Sequence, residues 1–156
     1  MTADEGGLAD RLELRDLVQK YAHAVDRRDA ALLDSLFVDD AEMLVFEDPT
    51  ADEPSRTLRG REELARITRS VAHYVATTHL IGNHLAEVSG DTATGETYCL
   101  ASHLYDHEGE RRRDVWSIRY EDRYVRHDGR WCFAQRRLIV DWTHDHALSP
   151  RARLQA

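Results

Sequence analysis

Two helical stretches, a strand, a third helical stretch and a run of long strands predict an α+β protein built on a mostly antiparallel sheet. Three observations carry that prediction. Apolar residues recur at helical spacing between Leu8 and Arg28. From Thr77 onward, extended stretches are separated by turn signals at Ser89-Gly90-Asp91, His107-Glu108-Gly109 and His127-Asp128-Gly129. The length of 156 residues suits a single domain over 1–156, with a core from about 8 to 145 and a loose tail over 146–156.

The first helix is assigned over Leu8–Arg28. Leu14, Leu17, Val18, Tyr21 and Val25 make one apolar stripe, while Glu13, Asp16, Lys20 and His23 fall opposite it. Asp29 reads as the N-cap of a shorter helix bearing Leu32, Leu33, Leu36 and Phe37. Ala41–Phe46 reads as a strand. Glu47–Arg56 holds four acids and two of the three prolines, which marks a surface loop. A short strand near Thr57–Arg59 precedes Gly60, and Leu64, Ile67, Val71 and Tyr74 predict a third helix over Arg61–Tyr74. Strands follow at Thr77–Val88, Thr94–Tyr105, Arg113–Arg126 and Arg130–Trp142. Asp128-Gly129 is the strongest hairpin signal among the turns. The helices are expected to cover one face of this sheet.

Charge and composition narrow the partners. The chain carries 21 basic and 29 acidic residues, a net charge of −8, and Lys20 is its single lysine. Such acidity gives no electrostatic hold on a phosphate backbone, so no nucleic-acid partner is expected. No apolar run approaches the ~18 residues of a membrane span, and the polar start MTADEGG does not read as a signal peptide. A cytoplasmic protein with no membrane partner is the expectation. Cys99 and Cys132 stand far apart without a Cys-x-x-Cys, which argues against a zinc ribbon or redox motif. With no Gly-rich phosphate loop, no cofactor is expected. Asp141, His144, Asp145 and His146 resemble metal ligands by composition only. They lack a ligand frame and fall at a strand end and tail, so no metal is expected either.

Five segments carry a resemblance: Leu14-x-x-Leu17-Val18-x-x-Tyr21, Ala24-Val25-Asp26-Arg27-Arg28-Asp29, Leu36-Phe37-Val38-Asp39-Asp40-Ala41, the closing stretch Tyr124–Trp131, and Arg137–Trp142. On these the chain resembles the nuclear-transport-factor-2-like superfamily, and within it the SnoaL-like branch. That branch groups bile-acid dehydratase, scytalone dehydratase, hexachlorocyclohexane dehydrochlorinase and ketosteroid isomerase. The resemblance implies a cone: a strongly bent sheet wrapped around three helices, with an apolar pocket inside. It says less about function, since the superfamily hosts several enzyme classes as well as non-catalytic subunits.

Read from its position alone, Asp26 is a carboxylate near a helix end, paired with Arg27 or Arg28, and His79 is a core histidine. The resemblance implies a different pairing. In the dehydratase and dehydrochlorinase members an aspartate here holds a histidine from the strand after the third helix, which in this chain is His79 in Thr77-Thr78-His79-Leu80. A carboxylate on one ring nitrogen fixes the tautomer and strengthens the other nitrogen as a base. Tyr21, five residues before Asp26, is by spacing a core tyrosine and by resemblance a hydrogen-bond donor to substrate oxygen. Period-two alternation puts Thr97, Cys99, Ala101 and His103 on one strand face. The second aspartate of the bile-acid dehydratases is missing at Ala101, and His103 is its candidate replacement. Arg136 matches the dehydrochlorinase's pocket arginine, against the plainer reading of an ion pair. Tyr74, Trp116, Tyr120, Phe133, Leu138 and Trp142 are expected to line the pocket.

The predicted activity is therefore cofactor-independent elimination or isomerisation, foremost a dehydration, on a neutral, largely apolar ring-bearing or polyketide-like molecule. The acids of the 47–53 loop are expected near the pocket mouth, where they would disfavour anionic substrates. Two alternatives stand beside it. One is a ketosteroid-isomerase-like mechanism through Tyr21 and Asp48, with Asp122 near a second oxyanion acid. The other is a non-catalytic binding or assembly subunit. Family habit implies a homodimer or homotrimer through the exposed sheet face. His84, which alternates onto the face opposite His79, and His23, His73, His107 and His127 are assigned no role.

Overall fold

The computed structural model describes residues 5–149. Among them, helices α1 (Glu5–Arg27), α2 (Ala30–Ser35), α3 (Gly60–Leu64) and α4 (Ile67–Ser70) accompany six strands. These are β1 (Phe37–Phe46), β2 (Arg56–Arg59), β3 (Ala76–Ser89), β4 (Thr92–His107), β5 (Glu110–His127) and β6 (Arg130–Ala147). They form one sheet in the order β2-β1-β6-β5-β4-β3. Every neighbouring pair is antiparallel except β1 with β6, which is parallel. This is the expected α+β architecture, a bent sheet closing over helices.

The α1 stripe behaves as its spacing requires: Leu14, Leu17, Val18, Tyr21 and Val25 are all buried, and the helix packs chiefly on β3. Its end is specific. Arg28 adopts φ 55° just past the last helical residue. The Arg28 N–H donates to the Val25 carbonyl at 3.2 Å, and the Asp29 N–H donates to that of Ala24 at 2.8 Å. This is a Schellman closure with an arginine where glycine is usual. Asp29 then caps α2 by accepting from the Leu32 N–H at 2.9 Å. At the β5–β6 hairpin, Asp128 and Gly129 take φ 49° and 75°, the two left-handed residues that a tight twisted turn demands.

Five expectations are corrected. The third helix breaks into α3 and α4, separated by two turn residues. Leu64 and Ile67 both anchor in the core, while the Thr68 and Ser70 hydroxyls donate to the Ala65 and Ile67 carbonyls and compete with continuous helix. Strand β1 starts at Phe37 rather than Ala41. Strand β6 runs on to Ala147, where it pairs with Arg112, and Tyr105 and Arg112 both bond Asp145, so 146–147 are sheet rather than tail. Residues 150–156 of the expected tail lie outside the described residues. In β3 a bulge between Ile81 and His84 inserts one extra residue, so His84 is half-buried on the same side as His79 instead of opposite it. Finally, the 47–55 loop joins β2 to β1, the sheet edge opposite the β3 edge that carries His79.

Candidate active site

Helix α1 and strand β3 bring Asp26 and His79 together. Asp26 Oδ1 lies 2.7 Å from His79 Nδ1, and Oδ2 accepts the His79 backbone N–H at 2.8 Å. The imidazole is almost fully buried, with 7% of its side chain exposed, and the carboxylate keeps 21%. Partial burial pushes the Asp26 carboxyl up, but hydrogen bonds from the His79 ring and amide prevail and hold it below the usual carboxylate range. With a carboxylate on Nδ1, the proton stays on that nitrogen and Nε2 is left as the acceptor. A groove of about 330 Å³ reaches the pair from solvent, bordered by Gln19, Ala22, His23 and Ile81.

An aromatic cluster adjoins the pair. The His103 ring stands edge-on to His79 at 6.0 Å between centroids, and it packs against Tyr74 at 4.7 Å and Trp116 at 5.0 Å. His103 is buried and its Nδ1 has no hydrogen-bond partner. Burial foremost, and then the neighbouring His79, depress its pKa to about 4, so the ring is neutral near pH 7. Trp116 is held in place by donating from Nε1 to Asp114 at 2.6 Å. His79, His103, Tyr74 and Trp116 are thus brought together by three different strands and the turn before β3.

Arg136 sits elsewhere, in the centre of the cone. It is fully buried and donates twice to Asp122, from Nε and Nη2, at 2.8 Å each. Its guanidinium lies 4.2, 4.0 and 4.2 Å from the ring centroids of Tyr21, Tyr120 and Phe133. Burial opposes the charge, and the Asp122 carboxylate more than offsets it. Tyr124 completes the group by donating to Asp122 at 2.9 Å. Gly95 makes room for it, since a Cβ there would stand 2.9 Å from the Tyr124 ring. Tyr21 packs edge-on against Phe37, Tyr120 and Phe133, and burial pushes its hydroxyl up to about 12.

The other expected residues fall into two groups. Tyr120 and Phe133 fill the interior, and Leu138 packs half-buried against it. Trp142 is 53% exposed, because its register partner Ser117 lies on the outer sheet face. It lines no interior space, which corrects that expectation. Asp48 is exposed and closes its own turn by accepting from Thr50 N–H and Oγ1 at 2.8 and 2.7 Å. With Asp48 on the surface and Asp122 committed to Arg136, the ketosteroid-isomerase-like arrangement is not assembled. Among the described residues no cluster of His, Cys, Asp and Glu could hold a metal ion, and no helix is long and apolar enough to cross a membrane.

The SnoaL-like domain model matches residues 7–137. The chain belongs to the SnoaL-like family. An uncharacterized protein of Mycobacterium tuberculosis is 26% identical over 130 residues, covering 83% of this chain and 84% of that one. Among solved structures, a type 2 hexachlorocyclohexane dehydrochlorinase superposes with a TM-score of 0.76 at 24% identity, covering 95% of each chain. A candidate scytalone dehydratase from Novosphingobium aromaticivorans gives 0.79 at 23%, covering 98% of this chain and 100% of the other. At these identities the superpositions establish the nuclear-transport-factor-2-like fold.

One residue of this SnoaL-like site escaped sequence reading. Arg28, two positions after Asp26, reads by position only as a candidate ion-pair partner of that carboxylate. Its guanidinium instead crosses to the turn before β3, donating to the carbonyls of Asp26, Val71 and Tyr74 at 2.6, 3.1 and 3.2 Å. The only local signal was its place just past the end of a long helix, where a left-handed residue is common.

Proposed function

We propose that this SnoaL-like protein is a cofactor-independent lyase or isomerase, and that its reaction is dehydration of a neutral, largely apolar ring-bearing or polyketide-like molecule. The pairing of buried His79 with Asp26 carries the reading. His79 Nε2 takes a proton from a carbon next to a carbonyl, and the freed electron pair forms the new carbon–carbon double bond as the neighbouring C–O bond breaks. The departing hydroxide leaves as water with a proton returned by the imidazolium. Asp26 stabilises that imidazolium without moving. In this reading His103, whose Nδ1 has no hydrogen-bond partner, bonds the departing oxygen, while Tyr74 and Trp116 offer flat apolar faces to a ring. The dehydratase and dehydrochlorinase likenesses support a lyase over a binding subunit.

The test begins with a thermal-shift screen against steroids, bile acids, polyketide aromatics and small enones. Compounds that raise the melting temperature are then assayed for turnover by absorbance and mass loss of water. His79→Ala should lower turnover by about a hundredfold or more while the protein stays folded. Full activity in that variant would overturn the proposal.

A further inference from the structure

Arg28 occupies a costly conformation for its residue type. At φ 55° a side chain with a Cβ is strained, and the Schellman closure of α1 would accept glycine there at no such cost. Yet the guanidinium of this residue makes more tertiary hydrogen bonds than its neighbours Arg27 and Asp29. Nη1 donates to the Asp26 carbonyl at 2.6 Å and approaches Thr77 Oγ1 at 3.5 Å. Nη2 is shared between the carbonyls of Val71 at 3.1 Å and Tyr74 at 3.2 Å. One planar group therefore joins the end of α1, both ends of the turn after α4, and the start of β3.

The turn it binds is the segment that carries Tyr74. Its other ties are backbone bonds from Ala72 N–H to Arg69 at 3.1 Å, Tyr74 N–H to Val71 at 3.2 Å and Val75 N–H to Leu104 at 2.7 Å, together with the packing of Val71 on the core. Val75 itself is half exposed. The Tyr74 ring lies on His103, which in turn stands against His79. Asp26, whose carboxylate holds His79 from the other side, has its own carbonyl bonded to the same guanidinium.

We propose that Arg28 is the positioning residue of this site: its fork locks the 71–77 crossing to the end of α1, so that Tyr74 stays seated on His103 beside the His79–Asp26 pair. The role rests on reading that pair as the reactive centre, but the clamp itself is a property of the free protein. Lysine is a poor substitute, because a single ammonium point cannot span carbonyls on two sides in the way a planar guanidinium does.

The test uses Arg28→Gly and Arg28→Lys in the full chain without any substrate. Glycine relieves the φ strain, so Arg28→Gly is expected to keep the melting temperature within a few degrees while removing the clamp. Amide hydrogen exchange should then accelerate at least tenfold at Tyr74 and Val75 and stay unchanged in β5 and β6. In ¹H–¹⁵N spectra of the imidazoles, the His103 midpoint should rise toward that of an ordinary histidine as Tyr74 lifts away. His79, Asp26, Asp114 and Trp116, the other groups around it, remain unaltered in sequence. Arg28→Lys should fall between the two. Unchanged exchange at 74–75 and an unchanged His103 midpoint in Arg28→Gly would overturn the proposal. Because neither readout needs turnover, an inactive wild-type protein would overturn the dehydratase reading and leave the clamp standing.

Discussion

Asp26 grips His79 at two points, its ring through Oδ1 at 2.7 Å and its backbone amide through Oδ2 at 2.8 Å. The double contact sets both the position of β3 against α1 and the tautomer of the imidazole. Asp26→Asn is expected to preserve the first and destroy the second, since an amide cannot stabilise an imidazolium. Turnover should fall by about 10²–10⁴ with little change in melting temperature. An active Asp26→Asn enzyme would remove the carboxylate from the mechanism.

Stability should depend on pH through His103. Its folded pKa of about 4 lies below the ordinary 6.5, so the folded state binds fewer protons than the unfolded state between those values. The associated stability is complete above pH 6.5 and is lost as pH falls toward 4, on the order of 3 kcal/mol. Burial lowers the His84 pKa too, which steepens the same slope. Asp26, depressed below its ordinary value of 3.8, adds a loss only at still lower pH. Urea unfolding at several pH values should show a shallower slope for His103→Phe than for wild type, and parallel curves would refute this.

The Arg136–Asp122 pair is completely buried, with both side chains at 0% exposure. Removing either partner leaves an uncompensated charge among aromatic rings. Arg136→Met and Asp122→Asn are each expected to cost about 3–5 kcal/mol in denaturant unfolding. The double variant should cost clearly less than the two added, because the second substitution removes the stranded charge. Additive losses would show that the two groups do not act as a unit.

Leu80 pairs with Leu100, Leu100 with Ser117, and Ser117 with Trp142, a row across β3, β4, β5 and β6 on the outer sheet face. Leu80, Leu100 and Trp142 are 65%, 42% and 53% exposed. This row is the expected contact of a homodimer or homotrimer. Sedimentation should show an oligomer at micromolar concentration that Leu80→Glu with Trp142→Glu dissociates. A wild-type monomer would dismiss that assembly.

Much of the fold was legible because its signals are local. The α1 stripe, the Asp29 cap and the Asp128-Gly129 turn each depend on residues a few positions apart, and each formed as read. The failures have local causes that pattern alone underweights. A single inserted residue in β3 reversed the face assigned to His84, and two hydroxyls helped to interrupt a helix whose apolar spacing was correct. Trp142 was misplaced for a similar reason: a register shift between Ser117 and Ile118 moves it to the outer face.

By itself, the sequence determined an α+β chain with an amphipathic first helix, tight hairpin turns and a net charge of −8. Resemblance singled out Asp26 and His79, but only the tertiary structure decided that a carboxylate and an imidazole 53 residues apart meet at hydrogen-bond distance. It also decided that Arg136 serves an interior ion pair and that Arg28 reaches back across the site. Local patterns report backbone preference and burial of one face. Pairings of charged and polar groups depend on which faces the closed sheet brings together, and that is settled only when every strand has its register.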